Sequence, residues 1–549
     1  MHECYEDRIR VEMNDDVDSG RQLLDERRQL LDMTENSLEL NLGETTTSEN
    51  LENDQNLNLN SDNRNQNGRS LTEVFFTHLD IEDNLELLPN GASPGPDGVP
   101  TSILKHGKVP ISRMLCNIMK SSMDTGVIPQ ILKSAFITPV HKGGSMAEPS
   151  NFRPISLTSH VVKTFERVQR RGIVNFLEYH KQMDPNQHGS RENRSTLSQL
   201  LEHHEEIIKI LEDGDNVDSI YLDFLKAFDK CDHGILMHKI KNLGIKGKLG
   251  VWLCSFLTNR TQTVMINWVK SESSILISGV PQGSVLGPIL FLIYISDLGK
   301  NIEALIKIYV DDSKIKDRIK TEEDVEKMQT NLEKMYEWEM TNNMKFNGNK
   351  FQIMRYGKNQ EIKEDTIYFT PQMEEPIEPF NSLRDLGVIM NDQANFSDHI
   401  EHVCKKVRQK LGWILRTFSC RRNEFMKSTF NSLVQPHIDY CSQLWMPNKD
   451  GDIEKIEKLL KDFTGKIPWL REDSYWTRLK ILKMNSEQRR LERYRIIYTW
   501  KILEGIVPNC GLETVKEFNP NESESDRKGS RCIVPKVKAF VVAQRQQSF

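Results

Sequence analysis

Hydrophobic positions along this chain change their period several times, and each change predicts an element. Helical spacing in LTEVFFTHLDIEDNLELL opens an ordered region near Leu71, and beyond the turn-dense loop Gly91–Gly98 a further helical stretch runs to Met123. Phe136–Lys142 and Asn151–Leu157 read as two short strands, and residues 161–212 as helix interrupted by MDPNQHGSRENRST. The runs Val217–Asp223 and Ala304–Val310 are rich in β-branched residues and each leads into a carboxylate. Past the second, the alternation of Ser313–Ile319 predicts a hairpin with Asp311 and Asp312 at its tip. Ile289–Leu298 reads as an apolar helix, Glu322–Asn343 as an amphipathic one, and Asn349–Met354 and Leu383–Ile389 as two further strands. Residues 398–510 read as helical, and no internal repeat is visible.

Charge and composition separate the ends from the middle. Residues 1–70 carry 7 Lys and Arg against 17 Asp and Glu and become Asn-, Glu- and Ser-rich. Such a segment buries too little apolar surface to offset its ordering entropy, so a disordered or transiently helical tail is expected. Residues 401–500 carry 21 basic against 12 acidic side chains, which suits a polyanion partner and equally a solvated helix face. Trp413, Trp445, Trp469, Trp476 and Trp500 fall in the helical region and are expected in its core by their size, rather than as platforms for bases. The nine cysteines are scattered, which indicates neither a disulfide framework nor a zinc site. No apolar run reaches the roughly 18 residues of a membrane span, and the first residues lack a signal-peptide layout. An intracellular protein, nuclear or cytoplasmic and without a membrane partner, is expected.

Candidate chemistry gathers at the strand ends. Adjacent aspartates raise each other's pKa unless a cation offsets them. Asp311-Asp312 alone could be a solvated turn, but Asp223 is a second strand-end acid, and carboxylates from two strands can converge on a metal pair. Lys142 and Arg153 flank a predicted hairpin and could clamp phosphate oxygens, Arg through its bidentate fork. The loop SGVPQGSVLGP (278–288) has glycines that let backbone approach a ligand at a helix start.

In this order and spacing, SPGPDGVP (93–100), FITPVHK (136–142), NFRPISL (151–157), YLDFLKAFD (221–229), SGVPQGSVLGPILF (278–291), IYVDD (308–312) and LGV (386–388) resemble the reverse transcriptases of jockey-like non-LTR retrotransposons. The resemblance covers roughly residues 71–545. It implies an α+β right-hand fold with fingers, a palm built on an antiparallel sheet, and a helical thumb. The implied domains are a tail at 1–70, fingers and palm at 71–397, a basic thumb-like region at 398–510 and a polar tail at 511–549. It also implies RNA-directed DNA synthesis with an RNA template, a DNA primer and dNTPs as partners. The implied cofactor is Mg²⁺, as two ions for which Mn²⁺ can substitute. By position, Asp223, Asp311 and Asp312 match the metal-binding catalytic aspartates, and Lys350 matches a lysine suggested to protonate the leaving pyrophosphate. Lys142, Arg153, Gln282 and Gly283 match dNTP-binding positions, Phe228 the bulky residue that rejects a ribose 2′-OH, and Leu386-Gly387-Val388 the primer grip.

Three departures qualify the resemblance. Val310 stands where the family often has Ala, and Ser190 stands where it commonly has an aromatic ring, which bears on packing of the fingers. Residues 1–70 do not resemble the endonuclease that usually precedes this polymerase, and nothing after residue 510 resembles an RNase H, so a truncated or decayed copy, or the polymerase portion alone, is expected. The competing expectation is a catalytically inactive nucleic-acid-binding relic or domesticated scaffold. A group II intron-type maturase fits the motif wording less well.

Overall fold

The computed structural model describes residues 70–509 apart from 358–365 and 371–375. The tails expected at 1–70 and 511–549 therefore lie, but for residue 70, outside the described residues. In chain order the strands are β1 (Ser134–His141), β2 (Phe152–Thr158), β3 (Asn216–Leu222), β4 (Arg260–Ile266), β5 (Val269–Lys270), β6 (Ser274–Leu276), β7 (Leu305–Tyr309), β8 (Asp312–Ile319), β9 (Gln352–Tyr356), β10 (Ser382–Asp385) and β11 (Val388–Asn391). Helices fill most of the remainder, so the expected α+β class is the one observed. The chain divides into two compact units.

Among the described residues the first unit takes in 70–184, Lys226–Asp297 and Asn342–Met344. Its sheet runs β2-β1-β4-β5, with β6 also on β4; β1 is antiparallel to β2 and parallel to β4. Helices Lys108–Thr125, His160–Tyr179, Gly247–Leu257 and Gly287–Tyr294 supply its core, where Phe165, Trp252, Phe256, Phe291 and Tyr294 are fully buried. The Trp252 indole keeps a polar partner, donating to Ser122 Oγ at 3.0 Å. The helix expected from Leu71 begins only at His78. Thr77 stops it from starting earlier: its backbone N–H donates to Asp80 Oδ2 at 2.8 Å in a capping box, and Leu71 lies extended beside Ile245.

The second unit comprises Pro185–Leu225, Leu298–Thr341 and the described residues from Lys345 onward. Its main sheet, β7-β8-β3-β9, is antiparallel throughout. β3 and β8 are buried on both faces, with Ile220, Ile315 and Ile319 on one side and Val217 on the other, and helices Thr196–Glu212 and Glu322–Thr341 pack on the sheet. A single hydrophobic core runs from Leu200 and Val217 through Tyr356 and Val388 to Phe430, Trp445, Phe463 and Leu491, so residues from 397 onward share their core with the preceding strands.

Three expectations change in this unit. Leu383–Ile389 is a tight hairpin rather than one strand, because Leu386 (φ 43°) and Gly387 (φ 89°) both take left-handed backbone and reverse the chain between β10 and β11. Lys350 closes the one-turn helix Gly348–Lys350, and its strand starts later, at Gln352. Of the five tryptophans, Trp445 is buried while Trp413, Trp469, Trp476 and Trp500 are exposed. The amphipathic spacing of these helices is satisfied by Leu, Ile and Phe, which leaves the larger rings outside.

Candidate active site

The carboxylates that the sequence separates by almost ninety residues meet at one end of the β7-β8-β3-β9 sheet. β7 and β8 form a two-residue hairpin in which Tyr309 pairs with Asp312, leaving Val310 and Asp311 as the turn. β3 is antiparallel to β8 with Leu222 opposite Ser313, so Asp223 emerges from β3 next to Asp312. The backbone of Asp223 is fixed from the following crossing: Asn347 N–H donates to its carbonyl at 2.8 Å, and Phe224 stacks on Phe346 with centroids 4.5 Å apart.

Electrostatics follow from this crowding. Asp312 keeps a face toward solvent, yet the protein packed around it, and then the charges of Asp311, Asp223 and Asp385, push its carboxyl up to about 6. Lys350 answers part of that charge by an ion pair with Asp223. Behind them, Lys314 and Asp385 form a buried ion pair, with the Lys314 ammonium 5.5 Å from the centre of the Tyr221 ring. Deeper along β8, burial lowers Lys316 to about 7 although it reaches Glu206 at 2.5 Å and His203 at 2.8 Å. A cavity of about 360 Å³ opens at the carboxylates, lined among others by Asp223, Asp312, Lys314, Lys350, Arg384 and Asp385.

These residues suit a hard divalent cation, since three oxygen donors repel one another there and one is already paired with an ammonium. Among the described residues, however, no group of three or more His, Cys, Asp or Glu is gathered closely enough to hold an ion as it stands. Binding would require the carboxylates to draw together and Lys350 to leave Asp223. The other expected residue of this unit, Leu386, lines the same cavity, and Gly387 follows it in the β10–β11 turn.

Sequence reasoning passed over three side chains that shape this end of the sheet. Gln187 holds the Val310 turn, Asp385 neutralises Lys314, and Tyr440 donates its hydroxyl to the Leu386 carbonyl at 2.7 Å. Gln187 belongs to MDPNQHGSRENRST, where Ser190 was linked to the fingers. That segment runs along β7 in the second unit, with His188 N–H donating to the Ile308 carbonyl at 2.9 Å.

Other expected residues gather in the first unit. Arg153 pairs with Val140 across β1–β2, and Lys142 N–H donates to the Asn151 carbonyl, so both exposed cations lie at the far end of one hairpin. At the opposite part of β2, Ser156 N–H donates to the Gln282 carbonyl at 2.7 Å, and a Cβ on Gly283 (φ 130°) would meet the Ser156 carbonyl at 2.4 Å. Phe228 lies against Phe291, ring centroids 4.8 Å apart, and its carbonyl accepts from Val280 N–H. The loop is held from below by the buried Glu166 carboxylate, which accepts from Val285 and Leu286 N–H at 2.6 and 2.9 Å.

Residues 140–389 match the family described as Reverse transcriptase (RNA-dependent DNA polymerase). These residues form a reverse transcriptase domain. The chain is 26% identical over 442 residues, 76% of its length, to the probable RNA-directed DNA polymerase from transposon X-element of Drosophila melanogaster. It is 25% identical over 455 residues, 78% of its length, to the RNA-directed DNA polymerase from mobile element jockey of the same fly. Each alignment covers 48% of the relative, so the chain spans about half the length of the curated relatives it matches. All of the strands that carry Asp223, Asp311 and Asp312 lie inside the reverse transcriptase domain, as do Lys142, Arg153, Phe228, Gln282 and Leu386-Gly387. Among the described residues no helix is long and apolar enough to cross a membrane.

Proposed function

We propose that the chain is an RNA-directed DNA polymerase that adds dNTPs to a primer 3′-OH on an RNA template. One observation carries this reading: Asp223, Asp311 and Asp312 lie at the ends of neighbouring antiparallel strands of a reverse transcriptase domain, where burial and then the charges of the other two raise Asp312. In this reading the β7-β8-β3-β9 sheet is the palm, the β1–β2 sheet belongs to the fingers, and the helices from 397 onward are the thumb. Asp223, Asp311 and Asp312 would hold two Mg²⁺ ions or their Mn²⁺ substitutes.

Bound metal would lower the pKa of the primer hydroxyl and neutralise charge on the triphosphate. The protein's own contribution is positioning and fixed charge. Lys142 and Arg153 neutralise phosphate oxygens, Arg by a fork that fits two of them. Gln282 and Gly283 present backbone and amide to the incoming nucleotide. Phe228, anchored on Phe291, leaves no room for a 2′-OH. The Lys350 ammonium carries a proton for the departing pyrophosphate, and the Leu386-Gly387 turn supports the primer end.

The test is extension of a labelled DNA primer on an RNA template, with dNTPs or rNTPs, by the native chain and by Phe228→Ala. The native chain should incorporate only dNTPs. Phe228→Ala should admit rNTPs with discrimination relaxed by roughly tenfold or more, the scale of a lost steric contact. No product from the native chain with either pool would end the polymerase reading, and unchanged discrimination would remove Phe228 from the nucleotide site.

A further inference from the structure

The turn that carries Asp311 is conformationally unfavourable as written in the sequence. Val310 has φ 57°. A β-branched side chain in left-handed backbone is a true outlier, and it persists only where surrounding structure imposes it. The imposing group is Gln187, which is 3% exposed. Its Oε1 accepts from Val310 N–H at 2.9 Å and from Gly189 N–H at 2.7 Å, while its Nε2 donates to the Val310 carbonyl at 3.4 Å. One carboxamide thus grips Val310 by both its N–H and its C=O.

Neighbouring residues leave the turn no alternative. A Cβ on Gly189 would stand 2.4 Å from Val310 Cγ2 and 2.6 Å from Val310 N, so only glycine lets the two backbones approach this closely. The segment bearing Gln187 is itself tied to β7, where Ile308 N–H donates to the Asn186 carbonyl at 3.1 Å and its carbonyl accepts from His188 N–H at 2.9 Å. The His188 ring is anchored in turn by Ser198 Oγ at 2.8 Å and Glu202 Oε2 at 3.2 Å. Gln187 is therefore held on a rigid support, with its amide aimed at a single peptide.

We infer that Gln187 is a positioning residue for the proposed metal site, holding Val310 in the left-handed turn that sets where Asp311 and Asp312 project. This rests on the polymerase reading only for its catalytic consequence; the grip on Val310 is independent of it. The full chain is compared as native, Gln187→Ala, and Gln187→Ala combined with Val310→Gly, since glycine enters left-handed backbone without steric penalty.

Three readouts apply: hydrogen exchange over residues 305–313, Mn²⁺ binding by electron paramagnetic resonance, and primer extension on RNA. Gln187→Ala should raise exchange locally by roughly tenfold, weaken Mn²⁺ binding by roughly tenfold, and slow extension by roughly a hundredfold, the scale of an ångström-level displacement at a reacting centre. Adding Val310→Gly should recover most of the extension loss. Unchanged exchange at 305–313 overturns the inference, as does a rise spread over the whole sheet or a loss that Val310→Gly leaves unrepaired. If the native chain neither extends a primer nor binds Mn²⁺ while local exchange still responds to Gln187→Ala, the polymerase reading fails and the clamp stands.

Discussion

Two tight turns of the second unit solve the same problem with different residues. Val310-Asp311 joins β7 to β8, and Leu386-Gly387 joins β10 to β11, each with a bulky residue in left-handed backbone at its first position. In both, a side chain distant in sequence grips the strained peptide: Gln187 holds Val310, and Tyr440 donates to the Leu386 carbonyl. They differ at the second position. Gly387 is left-handed as well and meets that requirement at no steric cost, whereas the first turn is left-handed at Val310 alone and places a carboxylate second. The turn proposed to carry metal ligands is held by two hydrogen bonds from Gln187, and the other by one from Tyr440. Conformational strain gathers where function constrains the residue, and packing elsewhere offsets it.

The two hairpins are also joined by charge, since Lys314 follows the first and Asp385 precedes the second turn. Breaking that link should have the largest effect on stability. Asp385→Ala strands a fully buried ammonium and should cost about 3–5 kcal/mol in urea unfolding, with Lys314→Met recovering part of the loss in the double variant. Equal stability of native and Asp385→Ala would mean that the pair does not couple the turns. Tyr440→Phe tests the second turn alone. Losing one hydrogen bond at a solvent-facing site should cost about 0.5–1 kcal/mol and shorten extension products, without changing Mn²⁺ binding at the first turn.

A smaller effect separates the turns by pH. The Asp312 carboxyl, held at about 6 against an ordinary 3.8, keeps a proton in the folded protein that the unfolded chain releases between those values. That contribution favours the metal-free fold at low pH and is lost as pH rises through 6. Asp312→Asn should therefore raise the metal-free melting temperature by about 1–2 °C at pH 8, after allowance for solvent screening, and leave it unchanged at pH 4. A gain of the same size at both pH values would assign the effect to something other than charge.

Much of this end of the sheet was legible in sequence. β-branched runs ending in Asp223 and Asp311 marked the strands and their acids, and the ordered motifs pointed to the purpose proposed for them. Local pattern could not supply Gln187, because a side chain that bonds a peptide 123 residues away leaves no periodic trace. It read Leu383–Ile389 as one strand and so missed the left-handed backbone of Leu386 and Gly387 that turns the chain there. The helix at His78 began late because the four-residue capping box Thr77–Asp80 outweighed apolar spacing that continued upstream. The tryptophans were misplaced because size predicts burial only where smaller residues do not already fill the helix face.

Primer extension on an RNA template with Mg²⁺ and dNTPs, comparing the native chain with Asp311→Asn, tests the central claim most directly. The carboxylate account predicts DNA product from the native chain and a loss of at least about a thousandfold in the variant, the scale on which removal of a catalytic group acts. RNA binding by gel shift should be equal in the two. Equal extension by both proteins, or none by either while both still bind RNA, would contradict it.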